Sequence, residues 1–233
     1  MVGLANSASV ADWLAEVSLF ASISAADRSA LARLVQERAY RGGQRVFMAG
    51  DAGDRLYIIK SGMVKIGVTS SDGREVTLAL LGPGEFFGEL ALLDGLPRSS
   101  DAVTVDACHF LLLRRDDFLQ FVVTRPEIAL HLLEVLSRRL RNDNDLVQDA
   151  TLLDVPARLA RVLLRLCTTA GQPVAHGTHI TLRLTQSDLA GMVGASRESV
   201  NKCLVLYEQD GLIRRERGLI VVPDPELLEK RIR

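Results

Sequence analysis

The stretch Thr185-Gln186-Ser187-Asp188-Leu189-Ala190-Gly191-Met192-Val193-Gly194-Ala195-Ser196-Arg197-Glu198-Ser199-Val200-Asn201-Lys202 carries two helix starts and a tight turn. Thr185 and Asp188 have the spacing of a capping box, in which a hydroxyl and a carboxylate satisfy the free amides of a first turn. A short helix through Leu189, Ala190 and Met192 reaches a turn at Gly194-Ala195. Ser196 then caps a second helix, from Arg197 to Asp210, which stops at Gly211. Two helices joined in this way form a helix-turn-helix. At 100° per residue, Val200, Cys203, Leu204 and Tyr207 share one face of the second helix, while Arg197, Glu198, Asn201 and Lys202 share the other, near its start. These types suit base reading, because an arginine fork matches guanine O6 and N7 and a glutamate accepts from cytosine N4. Leu212 to Val222 reads as a hairpin with a basic tip, and Arg215 in it suits a phosphate contact. The competing reading of the charged helix face is an ordinary solvated surface. Cap, turn and wing together favour DNA, with Thr185 and Ser196 at the helix starts completing the expected contact set.

Upstream, Val155-Pro156 marks a hinge, followed by an amphipathic helix from Ala157 to Cys167. Ile180, Leu182 and Leu184 alternate as a short strand, and Thr168 to His179 reads as a loop. Before the hinge, Leu132, Leu133, Leu136, Leu140, Leu146, Val147, Ala150 and Leu153 recur at helical spacings, with Pro126 suited to the first turn. The periodicity predicts a helix of about 26 residues, roughly 39 Å long at 1.5 Å per residue. One small barrel does not bury that length, so a seam with a second copy of the chain is expected. A helix folded back on its own barrel is the alternative. Polar residues from Arg141 to Asp145 interrupt the seam.

After Tyr40 the texture changes to clustered glycines and short apolar runs: Leu56–Ile59, Val64–Val68, Val76–Leu81, Ala102–Val105 and Phe110–Leu113. Their spacing predicts an antiparallel barrel or sandwich, with Ser71-Asp72-Gly73 as a hairpin turn. A short helix is expected at Asp116–Phe121, and two helices precede the strands, the second running from a Ser24 cap to Val35. Within the barrel, Gly82 to Leu93 leads from a turn into a helical stretch, and Leu96-Pro97-Arg98-Ser99-Ser100 ends in an arginine and hydroxyls. Backbone amides at a helix start attract anions and an arginine grips phosphate in a bidentate fashion. Glu89 cannot face a phosphate and suits a sugar hydroxyl instead. Spacing alone slightly favours an ordinary glycine-rich loop with a surface Glu–Arg pair.

Composition bounds the rest. The chain has 233 residues and a formal net charge of −1, with 48% hydrophobic and 24% charged residues, which fits two packed domains. From Val155 onward there are 12 Lys and Arg against 8 Asp and Glu, so the positive balance lies in the C-terminal third. Three scattered cysteines, no long apolar run and no basic, apolar leader predict a cytoplasmic protein without a membrane partner. Outside these motifs no nucleophile–base pair, P-loop or metal-ligand cluster is present, so the chain reads as non-enzymatic.

Two motifs carry a family resemblance that covers almost the whole chain. Phe87-Gly88-Glu89-Leu90-Ala91-Leu92-Leu93 with Pro97-Arg98-Ser99 resembles a phosphate-binding cassette, and Gly194 to Lys202 resembles a recognition-helix signature. In this order they are similar to the Crp/Fnr family, of the cyclic-AMP receptor protein type. The resemblance implies an α+β chain in three parts. Residues 1–125 would be a β jelly-roll binding cyclic nucleotide, with N-terminal helices; 126–154 a dimerisation helix; and 155–233 a winged helix-turn-helix. It implies a homodimer on a palindromic, TGTGA-like double-stranded DNA operator, with cyclic AMP as effector, no covalent cofactor and no metal. By the same resemblance Arg98 and Ser99 hold the cyclic phosphate, Glu89 takes the ribose 2′-hydroxyl, and Gly88 and Leu90 give backbone contacts. Asp143 and Asn144 stand where relatives contact the base. Asp143 departs from the usual threonine, and as a pure acceptor it pairs with a guanine N1/N2 edge as readily as with an adenine amino group. The corresponding surface to Thr168–His179 meets RNA polymerase in some relatives. Other ligands such as cyclic GMP, ligand-independent DNA binding, and the regulatory subunit of a cyclic-nucleotide-controlled enzyme are the competing readings.

Overall fold

The computed structural model describes residues 7–216 and 218–232. Two compact units divide the chain: Met1–Val68 with Ala79–Asn142, and Thr69–Leu78 with Asp143–Arg233.

The first unit opens with helices α1 (Ser7–Leu14) and α2 (Ala25–Ala32), the latter capped by the Ser24 hydroxyl on the Asp27 amide. Strands β1 (Gln36–Tyr40), β2 (Arg45–Phe47), β3 (Arg55–Ser61), β4 (Val64–Thr69), β5 (Glu75–Leu81) and β6 (Phe86–Phe87) follow. Helix α3 (Glu89–Asp94) and strands β7 (Asp101–Thr104) and β8 (Cys108–Arg114) lead to α4 (Arg115–Thr124) and the 27-residue α5 (Pro126–Leu152), whose residues from Asp143 onward, like those of β5 up to Leu78, are counted in the second unit. Two four-stranded sheets result, in the orders β1-β8-β3-β6 and β2-β7-β4-β5, and their recorded pairings are antiparallel.

The apolar runs of β3 and β8 are continuous because both faces of their sheet are covered. Successive side chains point to opposite sides. Leu56, Ile58, Leu111 and Leu113 therefore join the helices around Leu14, Phe20 and Phe118, whereas Tyr57, Ile59, Phe110 and Leu112 join Val64 and Phe87 in a second cluster. The expected helix through Val35 ends at Ala32, and β1 and β2 lie where no strand is read from the sequence. Both are edge strands: β1 is exposed along four of its five residues, a composition that blunts pairing with other chains and hides the strand pattern, whereas β2 is only three residues long and packs Val46 and Phe47 against the second cluster.

The second unit contains α6 (Val155–Ala170), β9 (Gly171–Val174), β10 (Gly177–Ile180), α7 (Gln186–Val193), α8 (Arg197–Gln209), β11 (Arg214–Glu216), β12 (Leu219–Val222) and α9 (Pro225–Glu229). Its antiparallel sheet has the order β11-β12-β10-β9. The Thr168–His179 loop reading is corrected: α6 runs to Ala170 and the rest is mainly the β9–β10 hairpin. Pro173 disguises it, and is tolerated because β9 is an edge strand. The expected strand through Leu182 and Leu184 ends at Ile180. Arg217, part of the expected basic tip, lies outside the described residues. Helix α6 starts at an Asp154 cap, with Pro156 in its first turn. Arg158 then donates to the carbonyls of Ala150, Leu153 and Gly194, and Tyr207 donates to Pro156 O at 2.6 Å, which ties the α5–α6 junction to α7 and α8.

Candidate functional site

In the first unit, Gly88, Glu89 and Arg98 meet around one turn. Gly88 closes β6 with φ 84°, a left-handed conformation in which a side chain is strained, and Glu89 opens α3. Arg98 is 4% exposed. Its Nη1 donates to Gly88 O at 2.6 Å and its Nη2 to Arg55 O at 2.8 Å. The guanidinium lies over the Phe47 ring, 4.3 Å from the centroid, and Phe47 packs on Tyr57 and Phe87, themselves stacked at 5.0 Å. Burial pulls the Arg98 pKa down, a cost that Tyr57, Asp54 and Glu89 oppose. Arg98 Nε is a buried donor that finds no acceptor among the described residues. A buried cation with an unsatisfied N–H, held by backbone carbonyls over aromatic rings, has the chemistry to receive an oxyanion.

Glu89 is 3% exposed and its carboxylate is paired. Arg139 on α5 donates from Nη1 to Glu89 Oε1 at 2.7 Å and from Nη2 to Phe86 O, with its guanidinium 5.0 Å from the Phe86 centroid. Sequence reading missed Arg139. The available signal was an arginine one helical turn before Asp143, on the same face of the long helix. Leu90 and Ser99 border this turn and are exposed. Asp143 and Asn144 lie on the part of α5 that belongs to the second unit, and both are exposed.

In the second unit, both predicted caps are formed. Thr185 and Asp188 make the reciprocal capping box of α7, and the Ser196 hydroxyl accepts from the Ser199 amide at 3.1 Å. Gly194 ends α7 at φ 65°. Val200, Cys203, Leu204 and Tyr207 are buried, which leaves Arg197, Glu198 and Lys202 exposed and Asn201 half-buried on the opposite face of α8. Lys202 Nζ lies 2.8 Å from Glu198 Oε1. Arg197 and Asn201 are joined through Gln186, which sequence reading passed over. Arg215 on β11 is held by Glu208 of α8, at 2.9 Å from Nε, and this pairing lowers the Glu208 pKa.

Residues 37–125 match the family model for the cyclic nucleotide-binding domain, and residues 157–231 match that for the Crp-like helix-turn-helix domain. The CRP-like cAMP-activated global transcriptional regulator of Mycobacterium tuberculosis is 40% identical over 220 residues, covering 94% of this chain and 98% of that protein. The cyclic AMP receptor protein of Thermus thermophilus is 36% identical over 195 residues, covering 84% and 87%. Among solved structures, the c-di-GMP responsive global regulator CLP of Xanthomonas campestris superposes with a TM-score of 0.74 at 29% identity, covering 82% of this chain and 95% of that one. Among the described residues no helix is long and apolar enough to cross a membrane.

Proposed function

The chain belongs to the Crp/Fnr family of DNA-binding transcription regulators with a cyclic nucleotide-binding domain, not to a family of enzymes, and we propose that it is a homodimer switched by cyclic AMP. The observation that carries the nucleotide reading is Arg98, a buried cation whose Nε lacks an acceptor, one turn from the buried carboxylate of Glu89. A cyclic phosphate supplies the acceptor, with Ser99 beside it, and Glu89 accepts from the ribose 2′-hydroxyl. Gly88 and Leu90 line the same turn. Two relatives named as cyclic-AMP receptors or cyclic-AMP-activated regulators support adenine as the base.

On the DNA side, Arg197, Glu198 and Lys202 read bases of a palindromic TGTGA-like operator. Asn201 and the start residues Thr185 and Ser196 flank them, and Arg215 in the wing reaches a phosphate once it leaves Glu208. Dimerisation is supported by Leu133, Leu140 and Val147 on α5, spaced seven apart and 59%, 62% and 66% exposed in the single chain. Two such domains place their recognition helices about 34–36 Å apart, one turn of duplex. The proposed control runs through Asp143 and Asn144 on α5 and the Arg158-clamped junction into α6, with a coupling of about 1–3 kcal/mol.

Asp143 favours a second reading, cyclic GMP, because a carboxylate accepts from both guanine N1–H and N2–H. Fluorescence anisotropy of a labelled TGTGA-type palindrome tests both, titrated with protein alone, with cyclic AMP and with cyclic GMP. At least tenfold tightening by cyclic AMP is the expected result. Tightening by cyclic GMP instead transfers the assignment to guanine, and equal binding in all three arms removes the ligand switch while leaving the DNA reading intact.

A further inference from the structure

Gln186, the first residue of α7, joins two residues of α8 with one carboxamide. Its Oε1 accepts from Arg197 Nε at 3.2 Å and its Nε2 donates to Asn201 Oδ1 at 2.8 Å. We propose that Gln186 is a specificity-determining positioning residue of the DNA-reading surface, fixing which atoms Arg197 and Asn201 present to a base. The inference rests on the reading of α8 as the recognition helix.

The geometry follows from placement and chemistry. The capping box at Thr185 and Asp188 sets the first turn of α7, so the Gln186 side chain leaves at a defined point beside α8. Arg197 and Asn201 are four residues apart, hence neighbours on one helix face, and a single carboxamide spans both. A guanidinium has donors only, so the amide atom facing Arg197 must be oxygen. The amide nitrogen then faces Asn201 and requires an oxygen there. The relay therefore has one polarity, imposed by Arg197.

Two consequences bear on the bases read. Arg197 spends Nε on Gln186 and keeps Nη1 and Nη2 for a guanine O6 and N7 edge, the geometry of the commonest base-specific contact. Asn201 spends Oδ1 on Gln186 and is left with Nδ2 to offer to a base. Bidentate recognition of adenine needs an amide that accepts from N6 and donates to N7 together. Asn201 acts instead as a donor, toward guanine O6 or N7, thymine O4 or adenine N7.

The test is selection from a library of randomised double-stranded DNA by the full chain in cyclic AMP, followed by sequencing of the bound fraction. Arg197→Ala and Asn201→Ala identify the positions each residue reads. Gln186→Ala then reduces the guanine preference at the Arg197 position by about tenfold and flattens the Asn201 position. Gln186→Glu still accepts from Arg197 but faces Asn201 with an acceptor, so the guanine preference stays and the Asn201 position moves toward a donor-bearing base. Equal thermal melting of all variants keeps folding out of the comparison. Unchanged base preferences in Gln186→Ala overturn the proposal, as does an equal loss on every sequence, which identifies Gln186 as a phosphate contact. A wild-type selection without base preference overturns the recognition-helix reading itself, and this shows before any variant is compared.

Discussion

Arg139 Nη1 lies 2.7 Å from Glu89 Oε1, so a carboxylate almost wholly out of solvent is neutralised by a cation from the long helix fifty residues further along the chain. The same guanidinium holds the Phe86 carbonyl, which ties the end of β6 and the start of α3 to α5. The carboxylate assigned to the ribose is thus part of the packing between sheet and helix.

Arg139→Ala leaves Glu89 buried without a cation. The expected cost is about 1–3 kcal/mol, below the upper range for buried pairs because the Arg139 side chain keeps 26% of its exposure. Urea unfolding should show a lower midpoint at an unchanged slope. Adding Glu89→Gln removes the stranded charge and should recover part of the loss. Two independent, additive losses in that cycle would count against a coupled pair.

Gly88→Ala should weaken cyclic-nucleotide binding about tenfold or more. A Cβ there would stand 2.4 Å from Arg98 Nη1 and would hold a left-handed φ, itself worth about 1–2 kcal/mol. Gly73→Ala is the matched control, with φ 81° and nothing within 4 Å of its Cβ. Isothermal titration calorimetry should find its nucleotide affinity close to wild type.

Leu140→Asp places a charge in the middle of the exposed Leu133–Leu140–Val147 row. Sedimentation velocity should show a dimer for the wild type and a monomer for the variant, and affinity for a two-half-site duplex should fall to that for one half-site. A wild-type chain that sediments as a monomer at concentrations that saturate the palindrome would remove the dimer.

Alkaline pH should destabilise the fold through buried acids kept protonated. Burial pushes the Tyr207 hydroxyl up to about 12, with Cys203 adding to the rise, and burial likewise pushes the Cys108 thiol up to about 12. Both folded values exceed those of the unfolded chain, which therefore releases its protons first. Stability is full at neutral pH and falls from about pH 9 to 12. Tyr207→Phe should cost about 1 kcal/mol at neutral pH, through the lost bond to Pro156 O, and should flatten the decline above about pH 10. Denaturant melts across that range measure both effects.

The helix-turn-helix was legible because each signal is local. The Thr185–Asp188 box, the Ser196 cap and the Gly194 turn each involve residues within a few positions of one another, and the buried face of α8 follows from a 3.6-residue period. The core strands β3 and β8 were legible for the same reason, as short apolar runs between turns. The edge strands β1 and β2 were not: β1 carries exposed polar residues that suit an edge and break the apolar pattern, and β2 is only three residues long. The β9–β10 hairpin was hidden by glycine and proline, which read as loop wherever no partner strand is known.

Local chemistry in the chain thus determined the class of fold, the two candidate sites and the residue types available at each. Tertiary structure decided which of those groups are already engaged: Glu89 by Arg139, Arg215 by Glu208, and Arg197 with Asn201 by Gln186. The reason is physical. Caps and periodicity act over one or two turns of chain, whereas an ion pair or amide relay forms between groups seven to fifty positions apart that packing alone brings to within hydrogen-bond distance.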